Sequence, residues 1–356
     1  MSARVSTMMT NGLGKVVAAV AATTFLAAAC SSPAKTLATS ASPRPYASLP
    51  TALPGLPSQP PSPLPKGVGS EIRVLSGGAP AAAVPAYGSV WVMDHRGTML
   101  YRIDPATGKI EASVDAGEGA CFPPQIGFGR IFVSGCEGGD TVVVDPEKEQ
   151  VVATSQCGGW MAFAAGSIWS PGGGGILRCD PATYKTTATI KHAGSFAGLA
   201  YDAGSIWAAN MSDATVERID PATNKVVATI SAGARALGDV DENLLVAFGS
   251  VWVSSDYDTR IFRIDPSTKA VRVYHPDVRS LGDFNTRTLV AGMGSLWIRT
   301  SLAAVTRFDP RTMKPVQTYP TDTWDGGGGE IAVAGGSLWI PNPEEDTIWR
   351  ESVRRT

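Results

Sequence analysis

A five-residue phrase, Gly-Ser-Val-Trp-Val at Gly88 to Val92, occurs in variant form seven times along a chain of 356 residues. The copies begin at Gly88, Gly129, Gly166, Gly204, Gly249, Gly294 and Gly336, so their spacings run from 37 to 45 residues. Six keep Trp in the fourth place (Trp91, Trp169, Trp207, Trp252, Trp297 and Trp339), and the second has Phe132. A second phrase, Arg-Ile-Asp-Pro-Ala-Thr-Gly-Lys at Arg102 to Lys109, is echoed from Val143, Arg178, Arg218, Arg263 and Arg307. Self-similarity at this period means that one supersecondary unit is stacked many times.

Each unit holds four short segments rich in Val, Ile, Trp and Ala, bounded by Gly, Pro or Asp. In the first unit they cover 82–87, 89–93, 99–103 and 110–114. Four strands per unit of about 40 residues predict an all-β fold, a seven-bladed β-propeller of four-stranded antiparallel blades. Leucine ladders or a 3.6-residue period, which would indicate leucine-rich or helical repeats, do not occur. The Asp-Pro-Ala-Thr-Gly phrase reads as a hairpin turn. Asp104 accepts bonds from the turn amides, Pro105 presets its own dihedral, and Gly108, replaced by Asn224 in the fourth unit, takes the left-handed position. The repeated Trp reads as packing between blades.

The last copy is followed by Thr347-Ile-Trp-Arg350, a third strand, and no fourth. Glu71 to Ser76 has the character of an outermost strand, so the last blade is expected to be closed by residues 71–76. That pairing would remove two sheet edges.

Residues 1–29 read as an export signal: Arg4 and Lys15 precede an apolar stretch, Val16 to Ala29, too short to span a bilayer comfortably. The stretch ends in Leu26-Ala-Ala-Ala-Cys30, which resembles a bacterial lipobox with its leucine one place early. Acylation of Cys30 would hold the protein on the outer face of the cytoplasmic membrane; an ordinary cleaved signal is the alternative. Residues 30–70 form a Pro/Ser/Ala-rich tether unable to bury a core, with a reach on the order of 100 Å at roughly 3 Å per extended residue. Residues 71–356 are the propeller.

In an up-and-down blade the Gly-Ser and Asp-Pro turns share one face of the disc, and the variable loops share the other. The variable face is where function is expected. Two loops there match each other: Arg235-Ala-Leu-Gly-Asp239-Val-Asp241 and Arg279-Ser-Leu-Gly-Asp283-Phe-Asn285, the latter followed by Arg287. With Trp324-Asp325 they form a candidate polar or ionic ligand site, or they brace one another within each loop. Trp160 and Trp324 are candidate stacking walls, with loop packing as the alternative. The runs Gly172 to Gly175 and Gly326 to Gly329 lack the context of phosphate loops and read as flexible or closely approaching backbone. Of the cysteines beyond Cys30, Cys121 and Cys136 are the favoured disulfide; Cys179 reads as a buried thiol and Cys157 is unassigned. No zinc-ligand spacing is evident.

The two repeated phrases resemble those of bacterial YVTN/YncE-like propellers and of the streptogramin (virginiamycin B) lyase-like family over residues 71–352. The resemblance implies an extracytoplasmic propeller, and the lyases of that group use a metal ion held near two histidines and a glutamate close in sequence. This chain departs from that pattern, because His95, His192 and His275 lie far apart. A net charge of −2 with 17% charged residues gives no basic patch for nucleic acid. The leading expectation is a monomeric, lipid-anchored, non-catalytic module that binds a small molecule, envelope polymer or protein. The alternative is a metal-assisted lyase, for which a divalent metal would be the cofactor; no other cofactor is indicated.

Overall fold

The computed structural model describes residues 70–73, 79–95, 97–117, 122–135, 140–232, 244–255, 260–275, 289–301, 304–320, 330–343 and 345–353. The signal segment, Cys30, the tether, Cys121 and Cys136 lie outside them. So do the candidate residues Arg235, Asp239, Asp241, Arg279, Asp283, Asn285, Arg287, Trp324 and Asp325, and the Gly326 to Gly329 run.

The described strands form seven antiparallel sheets of four, six of them in chain order from the inside outwards. Blade 1 comprises Pro80–Ala86, Ser89–Asp94, Met99–Ile103 and Ile110–Asp115, close to the expected segments. Blades 2 to 6 span 125–155, 162–191, 196–231, 244–274 and 289–320. Blade 7 takes three strands, Ala332–Ala334, Ser337–Asn342 and Thr347–Ser352, from the end of the chain and its outermost, Ser70–Arg73, from the beginning. Glu71 pairs with Trp349 and Ile72 with Ile348, so the expected closure holds over the described residues of that strand. The inner edges are joined as well: Ala83 N–H donates to the Glu330 carbonyl, and Glu330 N–H donates to that of Ala81.

Sharp turns make the blades possible. Tyr87 and Gly88, the central residues of the first Gly-Ser hairpin, have φ of 50° and 77°, the positive pair that matches the strand twist in a two-residue turn. At the other turn of the same face, Asp104 Oδ1 accepts the Ala106 and Thr107 amides and the Thr107 hydroxyl. These donors hold the Asp104 carboxyl below its usual range. Gly108 and Asn224 both take positive φ there.

The two repeated phrases prove to be halves of one packing device. In blades 3 to 7 the Arg before the Asp-Pro turn, or its equivalent Arg350, donates Nε–H to the Ser after the Gly. The distances are 2.8, 2.7, 2.8, 2.8 and 3.3 Å. Its guanidinium lies 4.8–5.7 Å from the centroid of the Trp ring, a cation–π distance. Each of the six framework indoles donates its N–H to a carbonyl five residues upstream, across the Gly-Ser turn. All six are wholly buried, each packed on the blade that follows, as Trp207 is on Val251, Val253 and Phe262.

Blade 2 has Arg130, Phe132 and Val143 at these places, so Ser, Trp and Arg are lost together. The seam it forms with blade 3 is built differently. Phe132 packs against Phe163 at 5.1 Å and Tyr184 at 6.0 Å, beside a disulfide between Cys157 and Cys179. Cys179 is therefore not the thiol expected from sequence. The linker that carries Cys157 runs between the blades, with Gln156 N–H donating to the Tyr184 carbonyl and Gln156 Oε1 accepting Thr186 N–H. This route brings Cys157 to the third strand of blade 3.

Candidate functional site

The antiparallel order places the Gly-Ser and Asp-Pro turns on one face and the remaining hairpins and interblade linkers on the other. Ser70 pairs with Arg350 beside the short turns, so the chain enters the propeller on the regular face, opposite the variable one.

On the variable face blade 3 is cut short. Its second and third strands are joined through Gly173 and Gly174, with φ of 62° and 75°, in a hairpin that pairs Gly172 with Gly175. A Cβ on Gly175 would lie 2.0 Å from the Ile190 carbonyl oxygen, so close backbone approach, one of the two readings of this run, explains that glycine. The low hairpin leaves a cleft of about 760 Å³, within the range of small-molecule sites. Phe122, Trp160, Pro171, Leu177, Phe196 and Met211 supply its apolar wall, and Ser134, Asp140, Thr141, Ser155, Gln156 and Thr186 its polar side. Trp160, one of the two candidate stacking walls, lines this cleft. It is 7% exposed and stands edge-on to Phe122 at 6.0 Å.

Behind the cleft residue Phe196, His192 packs edge-on against that ring at 5.7 Å, and its Nε2 lies 3.3 Å from Glu217 Oε1. Glu217 is 1% exposed, and Asn210 Nδ2–H donates to Asp213 and to the Ala193 carbonyl. Burial raises the Glu217 carboxyl above its ordinary range. His192 and Asn210 oppose that rise, and Asp213 adds to it. Sequence reasoning passed over Glu217, although a signal was present. The residue before the repeated Arg is Tyr101, Val142, Leu177, Phe262, Thr306 or Trp349 in the other blades, and only blade 4 puts a carboxylate there.

A second buried carboxylate lies at the seam of blades 7 and 1. Asp94 is fully buried, accepts the Tyr101 hydroxyl at 3.4 Å, and is pushed up to about 6, mainly by burial, with Asp346 adding repulsion. Asp346 in turn accepts Ala79 N–H at 3.0 Å. Arg299, wholly buried on the second strand of blade 6, is lowered to about 10 by desolvation.

His95, His192 and His275 all fall on the variable face, but in or beside blades 1, 3 and 5, so they do not converge on one another. Among the described residues no group of three His, Cys, Asp or Glu side chains is placed to hold a metal ion. The pair His192–Glu217 can exchange a proton or hold the 192–195 linker against blade 4.

No known protein family matches the chain, and no curated protein is similar to it in sequence. Solved structures are. Virginiamycin B lyase from Staphylococcus aureus superposes with a TM-score of 0.65 at 15% identity, covering 80% of this chain and 99% of that one. Its catalytically inactive form with Quinupristin gives the same values. The computationally designed Ika8 protein follows at 0.54 and 13%, over 77% and 83% of the two chains. BamB from Moraxella catarrhalis gives 0.49 and 14%, over 76% and 80%. At these identities the likeness is one of fold: the chain has the seven-bladed β-propeller architecture of virginiamycin B lyase.

Proposed function

We propose that this protein is an exported, lipid-anchored, monomeric propeller that binds a ligand without transforming it, in the cleft above blade 3. The observation that carries this reading is the cleft itself. It is the place on the variable face where a shortened hairpin uncovers aromatic side chains flanked by hydroxyl and amide groups, the mixture that small-molecule sites use. The Arg/Asp loops around Asp239 and Asp283 lie outside the described residues and join strands that end on this face, so they stay in the reading as candidate charged contacts.

The test is a thermal-shift screen of envelope glycans, peptides and small metabolites against the chain carrying Cys30→Ser, which needs no detergent, with and without divalent metal. A hit lost in Phe122→Ala, and weakened in Asp239→Ala or Asp283→Ala, supports the site. A hit that survives all three substitutions removes it. Metal-dependent turnover of a hit would replace this reading with the lyase alternative.

A further inference from the structure

The innermost strands surround a second cavity, of about 400 Å³, on the propeller axis. Val84, Leu199, Leu244, Leu245 and Leu289 give its described walls an apolar majority, and Gln125 and Glu330 add polar side chains. Trp160 lines both the channel and the cleft, and the cleft residues Phe122 and Phe196 are one and two positions from the channel residues Pro123 and Gly198. The Trp160 indole N–H is buried without a hydrogen-bond partner, whereas every framework indole donates to a carbonyl. A buried donor in this state is unfavourable until an acceptor reaches it. The charged side chains among the described lining residues are Asp140 in the cleft and Glu330 in the channel, both acidic. They disfavour an anionic ligand.

We propose that channel and cleft form one composite site for an uncharged amphiphile. Its apolar tail fills the channel, an oxygen of its polar part accepts the Trp160 N–H, and the rest of the polar part lies along the cleft. This proposal rests on the cleft reading and gives it a ligand class. The closest simple probe is an n-octyl glycoside below its micelle concentration, titrated by calorimetry into the Cys30→Ser chain, with octanoate as the anionic probe of equal tail length.

The octyl glycoside is expected to bind, and octanoate to bind at least tenfold more weakly. Trp160→Phe, which keeps the ring and removes the donor, should weaken glycoside binding roughly fivefold. Val84→Trp, which fills the channel, should weaken it more than tenfold; Val84→Phe serves if that variant does not fold. Equal binding of octanoate, or no heat with the glycoside, overturns the proposal. If glycoside binding is unchanged by the channel-filling substitution but lost in Phe122→Ala, the composite site fails and the cleft reading stands.

Discussion

Asp94 offers a test of whether a buried charge weakens the seam that closes the ring. The carboxyl sits at the end of the second strand of blade 1, wholly buried, with Oδ2 accepting a long bond from Tyr101 and Oδ1 without a partner. Its pKa rises from 3.8 to about 6, so the folded state binds the proton more tightly than the unfolded chain does. The stability that Asp94 contributes is therefore fully present below pH 4 and is lost as the pH rises through about 6. At about 1.4 kcal/mol per unit, a rise of roughly two units makes the ionised form about 3 kcal/mol less favourable at pH 8 than the neutral one. Asp94→Asn keeps the shape and an acceptor for Tyr101 but cannot ionise. Relative to the parent it should be near neutral at pH 3.5 and more stable by up to about 3 kcal/mol at pH 8, on the order of 5–10 °C in Tm for a domain of this size. Scanning calorimetry of both proteins from pH 3.5 to 8 reads the difference directly. Parallel curves, or an Asn variant that is the less stable at pH 8, would refute the reasoning, since neither can arise if desolvation dominates at this carboxyl.

Other consequences can be checked in the same way. Ile72→Ala, which removes a side chain packed on Ile103 and Ile348 in the closing seam, should cost about 2–4 kcal/mol by denaturant titration; deleting residues 71 to 76 should lower Tm sharply, and an unchanged melting curve would count against ring closure. Replacing both Cys157 and Cys179 by Ala opens a loop of 22 residues and should cost about 3 kcal/mol; mass spectrometry under non-reducing conditions checks the bond itself. Glu217→Gln should raise Tm above the pH at which Glu217 ionises and leave it unchanged in acid, because burial raises this carboxyl too; a loss confined to the higher pH would mean that the pairing with His192 outweighs desolvation.

Much of the architecture was legible because its strand ends are written in residues with little conformational choice. The Tyr87-Gly88 and Asp104-Pro105 turns state where strands reverse, and the strand-like character of Glu71 to Ser76 pointed to the pairing seen between Ser70–Arg73 and Thr347–Ser352. The site was less legible for a physical reason. Glu217 occupies a position whose meaning depends on register: it faces the neighbouring blade because Tyr101 and Phe262 do at the same place, and a carboxylate there stands out only when all seven units are aligned residue by residue. Reading for long loops directed attention to Asp239 and Asp283, whereas the described cleft lies beside a tight hairpin, the four-glycine turn of blade 3. That run was visible as close-approaching backbone, but its shortness marks a cleft only once the neighbouring blades stand beside it.

The same comparison explains why the departures gather around blades 2 and 3. Six units carry the framework Trp, with Arg laid over the ring in blades 3 to 7. In blade 2 the smaller Phe132 has neither the serine nor the arginine beside it, and it cannot fill the seam or brace it in that way. The Cys157–Cys179 bond, wholly buried and flanked by Phe132, Met161 and Ile168, supplies covalently what the lost contacts supplied elsewhere. Tying the 156–161 linker down into the seam also keeps it from arching over blade 3. Trp160, three residues beyond Cys157, is thereby held between the cleft and the axial channel. On this account the disulfide replaces a missing packing unit and holds the linker beside the cleft that the low hairpin leaves. Reduction should then loosen ligand binding in the cleft while the other six seams, braced without a disulfide among the described residues, keep the ring closed.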